Sequence, residues 1–152
     1  MAGNVKDIDH GWSAIVKEFA KYKTPHVKVG VLSSAPSDKK TKANLASIAA
    51  YNEFGTSKIP ARPFMAQTFD QNYFEIRSFI ESESGKIIDL KQTIPGALSK
   101  IGLFYQAKTQ AQITRGEFVP NSPLTIKMKG SSKPLIDTGR LRQSINHEVV
   151  LK

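Results

Sequence analysis

Between His26 and Leu32 the chain alternates strictly, with Val27, Val29 and Val31 pointing one way and Lys28 and Gly30 the other. This is the pattern of a half-buried strand, and no other segment shows it as clearly. The terminal run His147-Glu148-Val149-Val150-Leu151 can form a closing strand, while most remaining apolar residues recur at helical spacing. The expected fold class is therefore α+β: a small, mostly antiparallel sheet packed by several helices, with long loops.

Ile8, Trp12, Ile15 and Phe19 mark the apolar face of a first helix that ends before Pro25. Residues 33–43 combine turn formers with like charges and read as a flexible surface loop. Asn44 can cap a short helix with Leu45, Ile48, Ala49 and Phe54 on its apolar side, ending at Gly55. The following stretch, 56–63, holds Pro60 and Pro63, which stiffen it into an extended arm. Met65, Phe69, Tyr73, Ile76 and Ile80 then share a stripe of a long helix, and its aromatic richness suggests core packing. The polar run Glu81 to Gly85 is expected to weaken or end that helix. A further helix spans about Pro95 to Arg115, with Thr93 near its start and Leu98, Ile101, Phe104 and Tyr105 on its apolar face. From Gln106 to Gln112 it is polar all round, so that half reaches solvent or meets another subunit. Glu117 to Ser132 reads as loop with a short helical turn near Thr125-Ile126-Lys127. Thr138 can cap a last short helix, Gly139 to Ile145, that buries Leu141 and Ile145.

A chain of 152 residues with 39% hydrophobic content suits one domain, taken as 1–152. Its apolar runs fall far short of the roughly 20 residues of a membrane-spanning helix. No secretory signal is visible at the start, so a soluble protein staying in the cytoplasm of the cell that makes it is expected. The absence of cysteine excludes disulfides, thiolate metal sites and thiol nucleophiles. The net charge is +9, from 22 basic and 13 acidic residues spread over both halves, which favours nucleic acid or an acidic protein surface as partner.

Catalytic chemistry finds little support. His10, His26 and His147 sit in separate elements without metal-ligand spacing, and no glycine-rich phosphate loop follows a strand. No cofactor and no metal are expected. Asp7, Asp9, Glu81 and Glu83 read as helix-end charges, and Asp137 as an acceptor for the next helical turn. Lys39, Lys40 and Lys42 form the densest basic cluster and read as a solvated loop or as phosphate contacts. The second basic region runs through Lys127, Lys129, Lys133, Arg140 and Arg142, and suits either nucleic acid or an acidic neighbouring subunit.

Two segments carry more than generic structure: Ile48-Ala-Ala-Tyr-Asn-Glu-Phe-Gly-Thr56 with Ile59-Pro-Ala-Arg-Pro-Phe-Met65, and Pro134-Leu-Ile-Asp-Thr-Gly-Arg-Leu-Arg-Gln-Ser-Ile145. Together with Val27-Lys-Val-Gly-Val31 they resemble motifs of phage virion-morphogenesis proteins, the group that includes Mu G-like and HK97 tail-completion proteins. The resemblance implies a non-enzymatic structural protein of a tailed-phage virion. Such a subunit forms a ring, expected to be hexameric, at the head-tail neck, and acts in tail completion or as a tail terminator. Its partners would be copies of itself, other neck, connector and tail-tube proteins, and packaged DNA touched without sequence preference. It would be made in the host cytoplasm. Glu53, Phe54, Thr56, Arg62, Phe64, Asp137, Arg140 and Arg142 become candidates for subunit contacts, since Arg and Phe on a stiff arm suit interface centres. The alternative placement puts Phe54 and Phe64 in the core and pairs Arg62 within the domain. A small basic DNA-binding accessory protein is the alternative function.

Overall fold

The structure, a computed structural model, describes residues 9–32 and 44–152. The elements are α1 (Trp12–Ala20), β1 (His26–Val31), α2 (Leu45–Phe54), α3 (Phe64–Ile88), α4 (Ile94–Arg115), α5 (Pro123–Lys129), α6 (Arg140–Ser144) and β2 (Ile145–Val150). Expectations for Asp7, Ile8 and the loop 33–43, with Lys39, Lys40 and Lys42, lie outside the described residues. Among the described residues no helix is long and apolar enough to cross a membrane.

The α+β expectation holds. β1 and β2 pair antiparallel, His26 opposite Val150 and Val31 opposite Ile145. The two strands are joined through more than a hundred residues, and α4 is what keeps them in place, packing on both strands and on α3. Gly102 makes that approach possible: a Cβ there would stand 2.7 Å from a Val27 methyl and 2.8 Å from the His147 ring. Phe64, Ala49, Ile113, Leu135, Leu141 and Ile145 form the main core, and Ile87, Ile94 and Ala97 form a second cluster closed by Tyr22 and Leu98.

Local signals explain most helix starts. The Asn44 side chain accepts from Ala46 N, Thr93 from Gly96 N with Pro95 in the first turn, and Ser122 from Thr125 N with Pro123 beside it. The Glu117 to Ser132 stretch holds one short helix, α5, as anticipated.

Three expectations are corrected. First, α3 does not stop at Glu81 to Gly85 but continues to Ile88, because Glu83 and Ile87 are both buried and hold that end in place. Its inward stripe is Phe64, Thr68, Ile76, Glu83 and Ile87, offset by about a residue from the expected aromatic stripe; Phe69, Tyr73 and Ile80 are exposed. Second, the polar half of α4 is internal: Thr109 and Ile113 are buried, and the glutamines are bonded within the chain. Third, α1 is helical, but Trp12 is 70% exposed and Phe19 also faces out. What α1 buries is Glu18, whose carboxylate accepts from Ile94 N at 3.1 Å and so satisfies an orphan donor at the start of α4. That contact and an ion pair with Lys21 hold Glu18 below the ordinary glutamate range, the Lys21 hydrogen bond being the larger cause.

Candidate functional site: a basic groove where two distant segments meet

After α2 the chain reverses sharply. Gly55 has φ 76°, and a Cβ there would fall 2.8 Å from Ala61 N, so the turn requires glycine. Thr56 closes the loop: its N–H donates to Ile59 O, and its hydroxyl accepts from Lys58 N and Ile59 N. The arm that follows is folded back, with Arg62 N donating to Asn52 O at 2.6 Å. Glu53 serves the helix beyond the arm. Its carboxylate accepts from Met65 N and Ala66 N at 2.9 and 3.0 Å, capping α3, whose own N-cap position is a proline with no side-chain acceptor.

Arg62 and Phe64, expected at a subunit interface, lie inside the subunit. Phe64 is 0% exposed in the main core, and Arg62 is 6% exposed. The Arg62 Nε donates to Val119 O at 2.8 Å, and Nη2 donates to Pro120 O and Asn121 Oδ1 at 3.2 Å. Asn121 Nδ2 in turn donates to Lys133 O at 3.2 Å. One guanidinium and one amide thus tie the arm to two later loops. The planar fork of arginine suits such a cluster of fixed acceptors.

The second segment arrives beside this junction. Leu135 adopts φ 55° while buried against the core, a left-handed conformation that costs a non-glycine residue roughly 1–2 kcal/mol. Gly139, at φ 76°, is the N-cap of α6 and makes no side-chain cap bond, so Thr138 is not the cap. Leu141 and Ile145 are buried as expected.

Between the arm and α6 lies a groove of about 580 Å³. Leu45, Ile48, Ile59 and Leu141 give it an apolar floor, and Lys58, Arg62, Lys129 and Arg140, with Asp137, provide its charge. Its size falls within the range of sites that seat small ligands or a few side chains. Among the described residues, no carboxylate is within ion-pair distance of Arg62 or Lys129. Burial pulls both cations below their ordinary values; for Lys129 the Arg62 charge adds to the effect and Asp137 opposes it.

The other anticipated residues scatter. Phe54 is 81% exposed, and Arg142, Lys127 and Lys133 are exposed without lining the groove. His26 Nδ1 meets Thr24 O, His147 Nδ1 meets Gln106 Oε1 at 2.6 Å, and His10 is exposed. No cluster suited to a metal ion occurs among the described residues. Sequence reasoning missed Asn121 and Lys58. The only signal for Asn121 was its place between Pro120 and Ser122, in a loop with no periodicity to interpret. Compared with protein families, with curated proteins and with solved structures, the chain has no match.

Proposed function

We propose that this chain is a structural subunit of a tailed-phage particle, building a ring at the head-tail neck in tail completion or tail termination. It works through protein contacts rather than catalysis. The observation that carries the reading is convergence: the two segments bearing the resemblance, some eighty residues apart in sequence, meet at one groove organised by Arg62. Large apolar side chains left in solvent, Phe54, Phe74 and Trp12 among them, are what a subunit awaiting neighbours presents. Electron microscopy and light scattering of the purified protein, alone and mixed with tail components, test it. Ring-shaped particles are expected; a monomer that never enters rings and is missing from virions would sink the proposal.

The DNA-binding alternative draws on the +9 charge and the exposed Lys127 and Lys133. Titration against duplex DNA at two salt concentrations separates the two, since a dedicated binder loses affinity steeply with salt.

A further inference from the structure

The groove holds two cations, Arg62 and Lys129, that the chain itself does not neutralise with an ion pair. Arg62 is more than nine-tenths buried, and its Nε and Nη2 are bonded while Nη1 is not. No buried side-chain nitrogen lacks a partner, so Nη1 keeps some access to the groove it lines. A desolvated guanidinium with a spare donor is best satisfied by a carboxylate. The floor of Leu45, Ile48, Ile59 and Leu141 asks in addition for an apolar group beside that carboxylate, which a phosphate backbone does not offer.

The same chain presents that combination elsewhere. On α3, Asp70 is exposed and forms no ion pair among the described residues, and Phe74 stands one helical turn later on the same stripe. Phe74 is 82% exposed, and its ring meets Tyr73 edge to face, as Tyr73 meets Phe69. No residue of α3 lines the groove, so the two surfaces are separate patches of one subunit. Unlike patches that complement each other between identical chains make a heterologous contact, the kind that closes into rings.

We infer that the groove receives the outer face of α3 from a second copy of this chain, with Asp70 meeting Arg62 and Lys129 and Phe74 covering the apolar floor. The inference rests on the ring reading above and supplies its interface. The chain has no cysteine, so introduced ones report without background. Lys58→Cys on the groove rim and Phe74→Cys on α3 are both exposed positions. Mixed, the two variants are expected to give a covalent dimer with a short bismaleimide, and each alone far less. Asp70→Lys and Lys129→Glu are each expected to raise the half-assembly concentration about tenfold or more, and the double variant to restore it, because the pair is then reversed but matched. If the wild type forms rings while the mixed cysteines fail to join and the charge reversals assemble normally, the groove-to-α3 contact is wrong and the ring reading stands. If the wild type forms no assembly and the cysteine pair fails to join at any concentration, both fall.

Discussion

Along the middle of α3, Phe69, Tyr73 and Phe74 touch one another edge to face while remaining exposed to solvent. Along the second half of α4, Thr109 is wholly buried and three glutamines are engaged inside the molecule: Gln106 with His147, Gln110 with the Ile145 carbonyl, and Gln112 with Gln67. The difference follows from what each helix faces. α4 lies across a two-stranded sheet, whose strands each have an edge with unpaired backbone groups, and glutamine reaches such a carbonyl where leucine would leave it unsatisfied. α3 packs on α4 with one narrow stripe and turns its rings outward, where nothing in the subunit requires them. Polar residues are therefore buried where the backbone demands partners, and aromatic ones are exposed where a further surface is to be covered.

The largest test of this contrast is Phe64→Ala. Its ring is at the centre of the main core, so truncation should cost about 3–5 kcal/mol, read as a fall in the urea midpoint with unchanged slope. A loss near zero would mean that the core is not where the structure places it.

Glu83 offers a pH-dependent test on the inward side of α3. Its carboxylate is held below the ordinary range first by the hydrogen bond from Lys86, then by Gln92 and the nearby Lys100, against the opposing effect of desolvation. A depressed carboxylate pKa favours the folded state fully above the unfolded value of about 4.3. That contribution disappears as the pH falls through the lower native value. Unfolding midpoints measured from pH 7 down to pH 3 should fall less steeply for Glu83→Gln than for the wild type. Parallel curves would remove Glu83 from the acid response.

Gln110→Ala is the next step down. It removes the donor to Ile145 O and should cost about 0.5–1.5 kcal/mol. If it is neutral while Leu103→Ala, on the exposed side of α4, is costly, the orientation assigned to α4 is reversed.

How much of this was legible in the sequence divides along the same line. The strand at Val27 to Val31, the Asn44 and Thr93 caps, the turn at Gly55 and the burial of Leu141 and Ile145 rest on local chemistry, which periodicity and capping rules capture. The inner stripe of α3 was not legible, because it is built from Thr68 and Glu83 as well as Phe64 and Ile76, and the adjacent outer stripe is the more apolar of the two. The groove was half legible: Arg62, Asp137 and Arg140 were singled out, but that Arg62 would bind Val119, Pro120 and Asn121 depends on loops with no repeat to interpret.

The smallest expected effect on stability is the sharpest test of the comparison. Phe74→Ser removes a whole ring, a change that in a core would rival Phe64→Ala, yet at this position the unfolding midpoint should move by no more than about 0.5 kcal/mol. Only the edge contact with Tyr73 is lost within the subunit. If the ring belongs to a contact between copies, the same substitution should shift light-scattering profiles toward smaller species at concentrations where the wild type assembles. Stability and assembly then separate at a single residue: a destabilised monomer would place Phe74 in the subunit's own packing, and an unchanged assembly would leave the outer face of α3 without a role.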